Sequence, residues 1–154
     1  MEDIKNRLGN FDETLIGWMK RWSMPMARIA IFVVYFWFGI LKVSALSPAN
    51  PLVASLLERT LPFISFDTFI ILLGLYEMAI GVVFLIKGWE RLAFLLLVLH
   101  LITVIMPLIL LPAITWQSAF VPTLEGQYII KNILIIACAM SIVSNLQPWK
   151  KKSV

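Results

Sequence analysis

A few ionisable side chains of this 154-residue chain lie within long apolar stretches, and these are the residues from which chemistry is expected. Three of them are Lys42, Glu77 and His100. An ammonium can hold an anionic or carbonyl group, a carboxylate can balance charge or exchange a proton, and an imidazole can relay one. Charges inside a membrane span are costly, so they indicate either a functional site or a partner inside the protein.

Glu77 and His100 are predicted to meet near the middle of the protein. Glu77 lies about 11 residues inside one apolar segment and His100 about nine residues inside the next, which places both roughly 13–16 Å deep. The two segments are joined by the short Lys87-Gly88-Trp89-Glu90 turn, so they must be antiparallel neighbours. A hydrogen-bonded Glu77–His100 pair therefore fits the spacing.

Other roles for these residues stay open at this point. Glu77 can be a functional carboxylate or only a polar link between helices, and His100 can be a core histidine with its bonds satisfied. Lys42 and Lys131 are expected nearer the surface opposite the Lys87–Glu90 turn, within reach of the Glu125-Gly126-Gln127 stretch, where Lys42 and Glu125 could form an ion pair. Lys42, Glu77 and Lys131 are expected to face one interior pocket and not lipid. Arg28 is expected to extend to the membrane surface.

Several kinds of activity are not supported by the sequence. Cys138 is the one cysteine, so neither an internal disulfide nor a dithiol redox centre can form. One histidine cannot supply a bis-histidine haem, and no metal-ligand spacing occurs. No GxSxG, Walker A or GxGxxG motif is present. We therefore expect no metal and no catalytic activity of the protein's own.

The elements that hold these residues are membrane helices. The chain is 60% hydrophobic and 14% charged, against roughly half and a quarter in soluble domains. Four apolar segments, at about residues 27–46, 66–86, 92–111 and 128–146, each have the roughly 20 residues that cross a bilayer as a helix. We predict an all-α fold in a single domain, residues 1–154: an integral membrane four-helix bundle with an N-terminal interfacial amphipathic helix.

That N-terminal helix is predicted over residues 1–24. Six apolar residues repeat at alternating steps of four and three and so share one face: Ile4, Leu8, Phe11, Leu15, Trp18 and Trp22. Tryptophans beside basic residues are typical of a helix lying in the membrane interface. A second short helix is predicted from Asn50 to about Thr60, while residues 112–127 are expected to form a loop at the interface.

Basic residues predict the orientation. The net charge is +4, and the lysines and arginines cluster at helix ends, where anionic lipid is a better partner than nucleic acid. Ten lie on the side of the termini, including Lys150, Lys151 and Lys152, whereas Arg59 alone lies in an opposite loop. The positive-inside rule then places both termini in the cytoplasm, and the expected location is a bacterial inner membrane.

Short motifs resemble a known family. Phe38-Gly39-Ile40-Leu41-Lys42, Gly74-Leu75-Tyr76-Glu77 and Lys87-Gly88-Trp89-Glu90-Arg91 resemble the DoxX-like membrane proteins. Ser47-Pro48-Ala49-Asn50-Pro51 and Leu124-Glu125-Gly126-Gln127-Tyr128 with Lys131-Asn132 are similar to its YkgB-type branch, which includes a reactive chlorine resistance family. The resemblance covers roughly residues 25–147 of the sequence.

The resemblance implies an accessory role in oxidative or reactive chlorine stress. It points to a quinone-like or small hydrophobic ligand, or to a redox or membrane protein partner, but to no proven cofactor. A small-solute or proton-coupled permease and a non-enzymatic scaffold are the alternatives, and a homo-oligomer is not excluded. The candidate binding or proton-exchange residues are Lys42, Glu77, Glu125, Gln127, Lys131 and Asn132, which match the family motifs, and His100, which comes from the depth argument alone.

Overall fold

The computed structural model describes residues 2–148, with side chains from Lys5 onward. The predicted basic tail at residues 150–152 lies outside this range. The described elements follow one another in chain order: α1 (Glu2–Val43), α2 (Asn50–Thr60), α3 (Phe66–Leu85), α4 (Glu90–Leu110), α5 (Pro112–Thr115), β1 (Trp116–Ser118), β2 (Val121–Pro122), α6 (Leu124–Ile130) and α7 (Asn132–Ser144).

Four helical segments of the described chain are long and apolar enough to cross a membrane: Lys5–Val43, Phe66–Leu85, Glu90–Leu110 and Leu124–Ser144. They confirm the predicted all-α four-helix bundle of a multi-pass membrane protein. Their outward surfaces carry large apolar side chains, among them Ile102 and Ile109, which are 58% and 74% exposed. Such a surface suits lipid, which removes apolar area from water.

The bundle has two ends that differ in content. We call one end the terminal end; it contains residues 24–28 of α1, the α3–α4 turn and the end of α7. Asn145, which follows α7, approaches Met24 there, and Cys138 of α7 approaches Ala27. The loop end holds residues 44–65 and 111–123. The short helix α2, predicted from Asn50 to about Thr60, is confirmed at the loop end, and its Leu57 is buried there.

The interfacial helix predicted for residues 1–24 is not a separate element. α1 continues without a break from Glu2 to Val43 and carries Pro25 in its interior. Proline removes one backbone hydrogen bond from a helix, but it does not have to end it. At 42 residues, α1 is about 63 Å long, roughly twice the hydrocarbon thickness. Its residues from Lys5 to Trp22 are exposed throughout, so none of them is buried against the rest of the described chain.

The closest packing in the bundle is between α1 and α3, and glycines make it possible. A Cβ added to Gly39 would come within 2.5 Å of the Gly74 carbonyl oxygen, and one added to Gly74 within 2.7 Å of the Gly39 oxygen. Gly81 is similarly tight against Phe32 and Phe36. Small residues let backbones approach in this way in membrane bundles. The two glycines at the crossing therefore fix the register of α1 against α3.

The fourth span differs from its predicted range of about 128–146. It begins earlier, at Leu124, where the Thr123 hydroxyl caps the helix by accepting from the Gly126 N–H at 3.2 Å. The helix is interrupted at Lys131 and resumes at Asn132. The Asn132 side chain donates to the carbonyls of Tyr128 and Ile129, at 3.1 Å each, and so links the two helical segments across the interruption.

Residues 112–127, predicted as a loop, contain regular structure. The four-residue helix α5 leads into an antiparallel hairpin of β1 and β2, and then into α6. Gly126 packs so tightly against α5 that an added Cβ would come within 2.2 Å of the Thr115 carbonyl oxygen. This segment is therefore a folded cap on the loop end.

Candidate functional site

Three ionisable side chains from three helices meet in the interior of the bundle. Lys42 comes from α1, Glu77 from α3 and His100 from α4, and their exposed fractions are 6%, 6% and 4%. We call these three residues the central cluster. His100 lies at the middle of α4 and Glu77 just past the middle of α3.

Glu77 is the residue that joins the central cluster. Its Oε2 accepts a hydrogen bond from Lys42 Nζ at 2.7 Å, and its Oε1 lies 3.3 Å from His100 Nε2. Glu77 and His100 therefore lie in contact, as predicted, but the described residues show no hydrogen bond between them. The expected pairing of Lys42 with Glu125 is wrong, because the Lys42 ammonium is bound to Glu77 and Glu125 is exposed.

Local helix geometry explains why Lys42 and Glu77 meet. The helices α1 and α3 cross antiparallel at Gly39 and Gly74, so Lys42 lies one turn from the crossing toward the loop end and Glu77 one turn toward the terminal end. The long Lys42 side chain extends back across the crossing to reach Glu77. The close approach of the two backbones leaves both side chains buried between α1 and α3. A buried charge of either sign would be unstable alone, and pairing them satisfies both.

Two tyrosines surround the His100 ring. The Tyr35 ring lies edge-on to it with centroids 5.4 Å apart, and the Tyr76 ring lies 6.0 Å away. The Tyr76 hydroxyl donates to the Leu96 carbonyl at 2.8 Å. The Thr103 hydroxyl donates to the His100 carbonyl at 2.7 Å. The His100 imidazole is thus packed against two aromatic rings, those of Tyr35 and Tyr76.

Two polar atoms beside the cluster have no hydrogen-bond partner among the described residues. They are Tyr35 Oη and His100 Nδ1, and both are buried. Most buried polar side-chain atoms in proteins are hydrogen-bonded, so such a pair in one place needs an explanation. Tyr35 was not predicted as a site residue. Its spacing of four residues from Gly39 and seven from Lys42, which puts all three on one helix face, is the signal that could have found it.

On the terminal side, the central cluster is closed by an apolar layer. Ile80, Phe84, Ala93 and Leu97 are all 0% exposed, and they belong to the same packed core as Ala139 and Ile142. A polar route from the cluster to the terminal end would have to pass through this layer.

A second ion pair, which is partly buried and which the sequence did not predict, lies beyond that layer. Arg28 donates to Glu90 at 2.5 Å and to the Phe84 carbonyl at 3.3 Å. The expected extension of Arg28 to the membrane surface stays a prediction; its side chain is 15% exposed and bound to Glu90 at the start of α4. Because it contacts the last turn of α3 and the first of α4, Arg28 fastens α1 to the α3–α4 turn.

The remaining candidates lie apart from the central cluster. Glu125, Gln127 and Lys131 are exposed, and Asn132 is half-buried and bonded to the backbone of its own helix. The Lys131 ammonium lies 4.9 Å from the centroid of the Tyr128 ring. The expectation that Lys131 would share an interior pocket with Lys42 and Glu77 is therefore wrong, because a lysine at the helix interruption is directed outward.

No group of three or more histidine, cysteine, aspartate or glutamate side chains that could hold a metal occurs within residues 2–148. Two open grooves lie at the terminal end. One is lined by Met24, Pro25, Arg28, Ile29, Leu85, Lys87 and Glu90. The other is lined by residues 88–92 with Leu95, Leu146 and Gln147. Neither groove includes a residue of the central cluster.

Comparison with known proteins assigns no family. No family model matches the chain, and neither a curated protein nor a solved structure shows significant similarity to it. The class of protein is thus defined by the fold alone, as a multi-pass helical membrane protein with a buried ionisable cluster.

Proposed function

We propose that this protein is an accessory protein of the bacterial inner membrane that supports resistance to oxidative or reactive chlorine stress. It does so by binding a small hydrophobic molecule with a polar head group, of the quinone-like kind, at the central cluster. Lys42 and Glu77 supply a neutralised pair of charges, and His100 and Tyr35 supply hydrogen-bonding groups. The stress role is supported by the motif resemblance to DoxX-like proteins of the YkgB type, and the binding role by the site.

The observation that carries the binding role is the pair of unpartnered atoms beside buried charges. A cluster that served only to join helices would be expected to satisfy its own polar groups, as the Arg28–Glu90 pair does at the terminal end. At the central cluster, Tyr35 Oη and His100 Nδ1 are left without a partner. Leaving two buried polar groups unsatisfied costs free energy, which a bound molecule would recover.

The arrangement supports binding over permeation. A permease is expected to present polar groups on both sides of its central carboxylate, whereas the terminal side of Glu77 is apolar through Ile80, Phe84 and Leu97. Toward the loop end the next polar groups are those of Lys42 itself and of Ser47 and Thr115. A site of this form is approached from the loop end.

The orientation in the membrane is part of the proposal. Lysines and arginines are more numerous at the terminal end than at the loop end, and this distribution favours a cytoplasmic location for the terminal end. The loop end, with α2 and the hairpin, then faces the periplasm, and a ligand would enter from that leaflet.

The experiment compares two carboxylates that are buried to the same degree, Glu77 and Glu90, with exposed fractions of 6% and 4%. Cells lacking the gene are complemented with wild type, Glu77→Gln or Glu90→Gln, and survival after hypochlorite is measured beside protein level and melting temperature in detergent. Glu77→Gln is expected to fold and to give no protection, while Glu90→Gln is expected to protect in proportion to its level. Full protection by a folded Glu77→Gln protein would show that Glu77 only joins helices, and it would favour the scaffold alternative.

A further inference from the structure

The N-terminal part of α1 carries an apolar face that the bundle leaves uncovered. Leu8, Phe11 and Trp18 are 62%, 67% and 55% exposed, and Leu15 and Trp22 are 43% and 44% exposed. We call these five residues the N-terminal stripe. They follow one another at steps of three, four, three and four residues, so they lie on one side of the helix. A contiguous apolar face of this kind marks a surface that something else covers.

The direction of α1 carries the N-terminal stripe away from the bilayer. Arg28 contacts Glu90 at the start of α4, at the terminal end of the bundle. Leu15 and Leu8 precede Arg28 in the same helix by about 20 and 30 Å along its axis. The polar head-group layer is only roughly 5–8 Å deep on each side of the hydrocarbon. A straight α1 therefore places most of the stripe beyond the head groups, in water.

Pro25 does not bring the stripe back to the membrane. α1 is one uninterrupted helix through Pro25, from Glu2 to Val43. A proline kink of about 30° shortens the reach of a helix along its original axis by only about a seventh. To lie flat among the head groups, the N-terminal part would have to turn by about 90°, which an unbroken helix does not do. A protein surface is therefore a better cover for the stripe than lipid.

The N-terminal stripe has the pattern of a coiled-coil seam. In a heptad lettered a to g, Leu8, Leu15 and Trp22 occupy a, while Phe11 and Trp18 occupy d. The c and f positions, which lie on the opposite side of the helix, carry polar residues or glycine: Asn10 and Gly17 at c, and Asn6, Glu13 and Lys20 at f. The helix thus presents one apolar seam to a partner and a polar side to water.

A second copy of the chain fits this seam in charge as well as in spacing. Copies that share one orientation in a membrane present their N-terminal segments side by side and parallel. In a parallel pair, the g residue of one helix faces the e residue of the next heptad on the other helix. Arg7 is at g and Asp12 at e, and both side chains are exposed, so two Arg7–Asp12 pairs form across a two-fold axis. The following g–e contact, Thr14 with Met19, is uncharged.

We propose that two copies of this protein associate through the N-terminal stripe, which forms a parallel two-stranded coiled coil outside the bilayer at the terminal end. A seam of just over two heptads would be weak between free helices. The membrane compensates, because it confines both copies to one plane in one orientation and so raises their effective concentration. The stripe is separate from the central cluster, and the inference does not rest on the proposed binding function.

Disulfide cross-linking tests where the seam lies. Single cysteines are introduced into the full-length Cys138→Ala protein, and isolated cell membranes, which keep the copies in one orientation, are oxidised with copper phenanthroline. Leu8→Cys and Leu15→Cys, at a positions, are expected to give cross-linked dimers. Asn10→Cys and Gly17→Cys, at the c positions of the same heptads, are the matched controls and are expected to give only background cross-linking.

Exchanging the charges tests the identity of the partner. Arg7→Asp places like charges at both g–e contacts, and it should weaken self-association by about two- to thirtyfold, the loss of two exposed ion pairs. The double variant Arg7→Asp/Asp12→Arg again has opposite charges and should recover the wild-type affinity, which a foreign partner would not explain. Energy transfer between donor- and acceptor-labelled copies in liposomes, at decreasing protein-to-lipid ratio, measures the affinity. Both positions are exposed and lie outside the bundle, so its packing is not affected.

Three results would overturn the inference. The first is equal cross-linking, or none, at the a and c positions. The second is equal self-association of Arg7→Asp and wild type. The third is a monomeric protein whose Trp18 is quenched by lipids brominated near the head group, which would show that α1 bends at Pro25 and lies in the interface. None of them bears on whether Glu77→Gln loses stress protection in cells, so failure of this inference is distinguishable from failure of the proposed function.

Discussion

The glycine crossing of α1 and α3 gives the sharpest prediction about how the site is held. In Gly39→Ala the new Cβ would lie 2.5 Å from the Gly74 carbonyl oxygen and 2.6 Å from Met78 Cγ. Met78 can move its side chain, but the carbonyl belongs to a helix backbone. Reaching the 3.4 Å of an ordinary contact requires α1 and α3 to separate by about 0.9 Å.

That separation has a cost in stability and in geometry. Overpacking of this kind costs about 1–3 kcal/mol, and a clash against backbone belongs at the upper end. For a chain of this size that lowers the melting temperature by roughly 6–12 °C. The hydrogen bond from Lys42 to Glu77, now 2.7 Å, would lengthen beyond bonding distance if the helices moved apart as rigid bodies. Gly39→Ala is therefore expected to lose stress protection even where the protein is still folded.

Gly17→Ala is the matched control on the same helix. A Cβ at Gly17 meets nothing within 4 Å, so alanine should stabilise α1 by about 0.5–1 kcal/mol through its higher helix propensity. Thermal unfolding in detergent, followed by circular dichroism, compares the two variants. Gly39→Ala is thus predicted to lower the melting temperature and Gly17→Ala to raise it. Equal melting temperatures for Gly39→Ala and Gly17→Ala would refute the argument that the crossing positions the cluster.

Three further predictions concern the rest of the molecule. Arg28→Met should destabilise the protein by leaving Glu90 without its partner, by less than the roughly 3–5 kcal/mol of a fully buried pair because Arg28 is only partly buried, and the double variant with Glu90→Met should recover much of that loss in a melting experiment. In a variant whose other five tryptophans are replaced by phenylalanine, Trp18 fluorescence should be quenched by lipids brominated near the head group if the N-terminal part of α1 lies in the interface, and no quenching would contradict that orientation. In a Cys138→Ala background, cysteine at Asn50 should react with an impermeant maleimide added outside the cell, and labelling from the cytoplasm alone would reverse the proposed topology.

The membrane architecture was predictable because lipid imposes a strong pattern on the sequence. A segment that crosses a bilayer must be apolar over about 20 residues and must be helical, so α3 and α4 were placed within two residues of their bounds. The Glu77–His100 contact was predictable from depth in the membrane. A tight turn places two helices side by side, so residues at similar distances from that turn lie at the same level.

The partner of Lys42 was not predictable in the same way. Lys42 and Glu77 are 35 residues apart on helices joined by a long connection, so their contact depends on how α1 is rotated and shifted against α3. The Gly39–Gly74 approach decides both, and spacing along one helix does not reveal it. The Arg28–Glu90 pair was missed for the same reason.

Local exceptions account for the other differences. Proline usually marks a helix boundary, yet α1 continues through Pro25 because a helix can lose one backbone hydrogen bond without ending. The start of the last span at Leu124 had a readable signal in the Thr123 cap. The interruption at Lys131 had none, since neither glycine nor proline occurs at it.

The central claim is that the Lys42–Glu77 pair serves a site and does not merely join two helices, and exchanging the two charges tests it most directly. The double variant Lys42→Glu/Glu77→Lys keeps an ion pair between α1 and α3 but places an ammonium where the carboxylate now faces His100. Hypochlorite survival is measured in complemented cells in which the variant protein is shown to be folded and present at the wild-type level. The account predicts that the folded exchange variant gives no protection. Protection equal to wild type would contradict it, because only the structural link would then matter.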